Sequence, residues 1–113
     1  MKQLYLFPTT KEKDVPKVTG SYPHALDNEI AHAKTDEALD DLLQAFEMPD
    51  AARTKEGNLI TFKGVSQGVN TGGSIEITEN ALNVTIELPF SAIAFKGRVQ
   101  KAIDKRIPPF LAG

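Results

Sequence analysis

The sequence contains no cysteine and no tryptophan. Without cysteine there is no disulfide framework, no thiol nucleophile and no cysteine-ligated zinc site. That absence also fits the reducing cytoplasm, the expected location. Without tryptophan, and with Tyr5 and Tyr22 both near the start, few rings are available for stacking on nucleic-acid bases. Long apolar runs are missing as well. No stretch approaches the roughly 18–20 residues of a membrane helix, and Met1 to Phe7 lacks the long apolar centre and cleavage site of a secretion signal.

Histidine is scarce. His24 and His32 are not at the i, i+4 spacing that puts two ligands on one helix face, and both read as solvated helix residues. Asp40 and Asp41 diverge on a helix, and no acids alternate as a calcium loop requires. No metal and no cofactor is therefore expected. Gly68-Val69-Asn70-Thr71-Gly72-Gly73 lacks the Lys-Ser/Thr of a phosphate loop and leads into a strand, so it reads as a mobile connection. Ser66, Ser74 and Ser91 lack a nucleophile-elbow motif and an evident base. No catalytic residue is assigned, and binding rather than catalysis is the expected role.

What is present suits one ordinary domain. The 113 residues are 41% hydrophobic and 25% charged. The net charge of −2 hides an asymmetry. Between His24 and Asp50, acids (Asp27, Glu29, Asp36, Glu37, Asp40, Asp41, Glu47, Asp50) face only Lys34. After Ser91, bases (Lys96, Arg98, Lys101, Lys105, Arg106) face only Asp104. Two helices with solvated faces of opposite sign explain this, and so does an anionic partner for the basic end. The acidic balance and the Asn/Thr/Glu strand face argue against direct nucleic-acid binding.

Residues 1–23 read as a tether with a short apolar head, Leu4 to Phe7, because Pro8, Pro16, Gly20 and Pro23 interrupt it. Residues 24–113 read as a single α+β domain. Leu39, Leu42, Leu43 and Phe46 make a helical stripe, with Thr35 as cap and a break near Lys34-Thr35 from an earlier stretch bearing Leu26 and Ile30. Three strands follow. These are Asn58 to Lys63, Ser74 to Thr78, and Leu82 to Leu88, with a Glu79-Asn80 turn between the last two. A final helix from Ser91 to Ile107 carries the stripe Phe95, Val99, Ala102 and Ile103. Pro108-Pro109 stops it and leaves Phe110-Leu111 as a tail. The expected fold is thus a three-stranded antiparallel sheet with helices on one face.

Two resemblances bear on function. Leu59-Ile60-Thr61-Phe62, Gly73-Ser74-Ile75-Glu76-Ile77, Val84-Thr85-Ile86-Glu87-Leu88-Pro89-Phe90 and Phe95-Lys96-Gly97-Arg98 resemble the polyhydroxyalkanoic-acid system proteins. That likeness implies a bacterial accessory protein acting at a protein partner or a polyester-granule surface. Arg98, Lys101, Lys105, Phe110 and Leu111 are its candidate contacts. Gln3-Leu4-Tyr5-Leu6-Phe7 is similar to the pentapeptide that binds the bacterial sliding clamp, with Gln3, Leu4, Leu6 and Phe7 as the matching positions. It implies the alternative, a clamp-binding protein. A third reading is a small-ligand carrier with its site between sheet and helices.

The clearest strand supplies the first test. Ile86→Asp would bury an unpaired charge and is expected to cost more than about 4 kcal/mol. Urea denaturation measures it, and an unchanged midpoint would show the register to be wrong.

Overall fold

Leu82, Val84 and Ile86 alternate with Asn83 and Thr85, and the alternation becomes strand β5 (Ala81–Glu87), with the first set fully buried. A computed structural model describes residues 16–112. Around β5 stand β1 (Lys17–Pro23), β2 (Ala52–Glu56), β3 (Leu59–Ser66) and β4 (Val69–Ile77). Their order is β1-β5-β4-β3-β2, and every neighbouring pair is antiparallel. Helix α1 (Asn28–Ala45) joins β1 to β2 at opposite edges. A 3-10 segment (Phe90–Phe95), α2 (Lys96–Arg106) and a short α3 (Pro108–Leu111) follow β5.

The α+β class is as expected, but the sheet has five strands, not three. Both extra strands are edges, which explains why their pattern is faint. Lys17–Pro23, read as part of the tether, pairs along its full length with β5. On β1 only Val18 and Tyr22 are buried apolar residues. On β2 no residue is buried. The inward places opposite Phe62 and Ile60 are held by Arg53 and Lys55, which reach Asp40 (2.6 Å) and Asp36 (3.7 Å) of α1. Inward charge on an edge strand blocks further strand addition.

The glycine-rich stretch expected as a loose connection is the β3–β4 hairpin. Gln67 (φ 52°) and Gly68 (φ 82°) both have positive φ, as a two-residue type I′ turn demands. Gly73 lies inward beneath the Phe62 ring, where a methyl group would run into the Thr85 carbonyl oxygen. On the outer face, Thr19, Thr85, Ser74, Thr61 and Thr54 fall in one register row across all five strands. Small hydroxyl side chains suit a face left to water.

Helix α1 has no break at Lys34-Thr35. Thr35 is buried and its hydroxyl donates to the Ala31 carbonyl at 2.7 Å, so it sits inside the helix rather than capping it. Ala31, Thr35, Ala38, Leu39, Leu42 and Leu43 form one continuous buried stripe. Its small members made it invisible to a count of large apolar residues, while Ile30 is exposed. The helix ends with Glu47 at φ 60°. Met48 N–H donates to Leu43 O (2.8 Å) and Glu47 N–H to Gln44 O (3.0 Å), the Schellman pattern.

Tyr22 ties α2 to β1. Its ring lies over Gly20, the one residue type on that face that leaves room for it, and its hydroxyl donates to Asp104 at 2.6 Å. Gln100 Nε2 donates to the same carboxylate (3.1 Å) and to the Thr19 carbonyl (3.2 Å). Burial foremost, then the hydrogen bond and the Asp104 charge, hold the phenol neutral and push its pKa well above the ordinary value near 10. The native state therefore keeps this proton more tightly than the unfolded chain. The stability it contributes is complete below pH about 10 and is lost as pH rises through the native value. Thermal melts between neutral and strongly alkaline pH should fall less steeply above pH about 10 for Tyr22→Phe than for the parent. Parallel curves would count against the coupling.

The end of the chain is not a tail. Ile107 (1% exposed) and Leu111 (6%) belong to the core, with α3 packed against α1 and α2. Pro108 starts α3, where a proline ring with no N–H is tolerated. Leu111→Ala should cost about 2–5 kcal/mol in denaturant unfolding, because it empties a filled site. A loss within about 0.5 kcal/mol would mean that α3 does not hold the core.

Candidate functional site: an apolar shelf, a basic helix and a cleft

Leu88 and Pro89 lead the chain out of β5. Pro89 (φ −72°, ψ 161°) starts the 3-10 segment, and Ala92 N–H donates to its carbonyl at 2.9 Å. Residues three apart share a side of such a turn, so Phe90 and Ile93 lie together while Ala92 turns into the core. Phe90 is 63% exposed, Ile93 51% and Phe95 43%. The other exposed large apolar residues among those described, Ile30, Leu59 and Val65, sit apart on α1 and β3. Single exposed apolar side chains are ordinary, but Phe90 and Ile93 side by side form a shelf that marks a contact surface. Phe95, three residues after Ala92, shares the side of Ala92 and lines a cleft with it.

Helix α2 begins where the shelf ends. Val99 and Ile103 are its buried residues, and Lys96, Arg98, Lys101 and Lys105 are exposed. Arg98 lies over the Phe95 ring at 5.5 Å from its centre, which orients the guanidinium. None of these four cations is ion-paired among the described residues. Five acids of α1 and α2 have other partners. Asp104 accepts from Tyr22 and Gln100. Asp41 holds Arg106 at 3.0 Å, Asp40 holds Arg53, Asp36 holds Lys55, and Glu37 pairs with Lys34 at 3.8 Å. The charge asymmetry of the sequence is thus met mainly by β2 and only once between the two long helices.

Behind the shelf lies a cleft of about 380 Å³. The inward face of the β3–β4 hairpin end, the end of α1, the 3-10 segment and α2 bound it. Leu88, Ala92 and Val99 form an apolar buried floor, with Thr71 beside them, 6% exposed. The Thr71 hydroxyl donates to the Val69 carbonyl at 3.1 Å. Phe46 and Phe95 make the walls, and Arg98 and Arg106 stand at the rim.

The expected contacts divide accordingly. Arg98, Lys101 and Lys105 share one exposed helix, and only Arg98 also reaches the cleft. Phe110 is half-buried, and Leu111 lies in the core and is closed to a partner in the folded state. Gln3, Leu4, Leu6 and Phe7 lie outside the described residues. Phe90 and Ile93 were missed. Their signal was present, since neither fits the Val99–Ile103 stripe. Phe95, expected in that stripe, sits at the 3-10/α2 junction (φ −92°, ψ 0°) and lines the cleft instead.

Of the two histidines only His32 is a helix residue, and it is part-exposed. His24 precedes α1, where its Nδ1 accepts from Leu26 N–H (3.0 Å) and its Nε2 meets the Thr78 carbonyl (3.0 Å). His32, on α1, meets Asn58 Oδ1 at 2.9 Å. Neither contacts a serine hydroxyl in these bonds. Among the described residues there is no group of three or more His, Cys, Asp or Glu that could hold a metal, and no helix is long and apolar enough to cross a membrane.

No curated protein and no solved structure matches the chain. A family profile does, over residues 21–111, from within β1 to the end of α3. Its description reads "Putative polyhydroxyalkanoic acid system protein". The match spans well over half of the chain and includes the sheet, the shelf and α2, so this protein belongs to that family.

Proposed function

We propose that the protein is a non-enzymatic accessory protein of the polyhydroxyalkanoate granule system, acting through contact with the granule surface or a protein on it. The carrying observation is the shelf of Phe90 and Ile93, with the unpaired cations of α2 following it in sequence. An apolar shelf gains by leaving water at a polyester surface, and adjacent lysines favour a surface that bears anionic groups. The outer sheet face, with its row of hydroxyls, stays in water in this reading. The contact needs no melting of the core, because Val99, Ile103 and Ile107 hold α2 and its C-terminal end in place independently of the shelf.

The test is co-sedimentation with isolated granules. Phe90→Ser with Ile93→Ser should reduce the bound fraction about tenfold or more, since each lost apolar contact is worth on the order of 1 kcal/mol. The melting temperature should barely change, because both side chains are exposed. Lys101→Glu with Lys105→Glu should weaken binding further at low salt than at high salt. Undiminished sedimentation of the Phe90/Ile93 variant would remove the shelf from this function.

A further inference from the structure

The cleft behind the shelf has features that surface contact does not use. Its volume of about 380 Å³ falls within the range of small-molecule sites. Its floor of Leu88, Ala92 and Val99 offers nothing for a polar ligand to bond, yet the rim carries two guanidiniums and no lining residue is acidic. One guanidinium is already matched, because Arg106 is held by Asp41 at 3.0 Å. The other, on Arg98, is in no ion pair and is steadied over the Phe95 ring. A cleft with an apolar floor and one unmatched, oriented cation at its mouth selects an amphiphile with a single negative charge. Thr71 adds one buried oxygen that can accept a hydrogen bond while its own hydrogen goes to Val69.

We propose that this cleft binds a medium-chain aliphatic monocarboxylate. The carboxylate meets the Arg98 guanidinium at the rim, and the alkyl chain lies along Leu88, Ala92 and Val99 between the Phe46 and Phe95 rings. A phosphate dianion or nucleotide would leave charge unmatched by the one open cation. A neutral hydrocarbon would gain nothing from Arg98. The site does not depend on the granule-contact reading, since it takes a free acid from solution and leaves Phe90 and Ile93 unused.

The experiment is an amide NMR titration of the full chain with octanoate, kept below its aggregation concentration, beside octanol and octylamine. Octanoate should give saturable shifts at Val69, Thr71, Leu88, Ala92 and Val99, with an affinity at least about tenfold above that of either control. Arg98→Gln changes an exposed side chain and should weaken octanoate about tenfold while leaving octanol unchanged. Ala102→Phe, which fills a half-buried wall position, should abolish binding of all three, with the melting temperature confirming that the variant is folded. Absence of saturable shifts in the parent protein would overturn the proposal. So would equal affinity for octanoate and octanol, shifts confined to Phe90 and Ile93, or unchanged binding by Arg98→Gln. The Phe90→Ser/Ile93→Ser variant should bind octanoate like the parent, which separates this site from the granule contact.

Discussion

One face of a five-stranded sheet has to be kept from water, and the rest of the molecule is arranged around that requirement. The inward residues stand in register rows. Val18, Ile86, Gly73 and Phe62 form one row, ending at Arg53 on the edge strand. Gly20, Val84, Ile75 and Ile60 form the next, ending at Lys55. The apolar middle of each row draws α1 and α2 onto the sheet, because burial of such side chains is the main favourable term in a domain of this size. The last place in each row cannot be covered as well. It carries a cation that reaches back to an acid of α1. Such exposed pairs add little stability, but they settle the charge on α1 and leave an edge unfit for further pairing.

The second consequence concerns α2. It is anchored at one side by Tyr22, Asp104 and Gln100 to strand β1, and at its end by Ile107 and Leu111 to the core. Its position is therefore set by the β1 side of the sheet. The β3–β4 hairpin end, on the other side, is left with the cleft as its cover. The same geometry sends the chain outward at Leu88-Pro89, so the 3-10 segment crosses the gap with Ala92 inward and its large side chains outward. Shelf and cleft are two outcomes of one incomplete coverage, and Arg98 lies at their junction, stacked on Phe95.

Strong alternation in Leu82–Leu88 and the stripe Leu39, Leu42, Leu43 were legible because large apolar residues fell at the right period, and both are buried as read. The Thr78–Ala81 turn was legible from Asn80. Edge strands β1 and β2 were not, since an edge next to solvent does not need an apolar period, and Arg53 and Lys55 erase it. Thr35 looked like a cap because capping is the commoner use of threonine next to acids. Only its burial against the sheet shows the alternative use, a hydroxyl bonded back to Ala31. For the candidate site, the basic run and Arg98 could be read directly. The shelf could be read only in part: Phe90 and Ile93 fall off the Val99–Ile103 stripe, but both are good core residues by type, so their exposure is set by the fold.

The α+β class, the buried faces of β5 and of the second half of α1, the family, and the separation of acidic from basic segments can all be read along the chain. These depend on local period and composition, which a linear pattern records. The folded arrangement sets the number of strands, the return of Ile107 and Leu111 to the core, and the pairing of acidic α1 with β2 more than with basic α2. It alone also placed Arg98 at the mouth of an apolar cleft. Each of these turns on which residues far apart in the chain compete for the same stretch of sheet face, and that competition is settled by packing volume and charge distance rather than by neighbours in sequence.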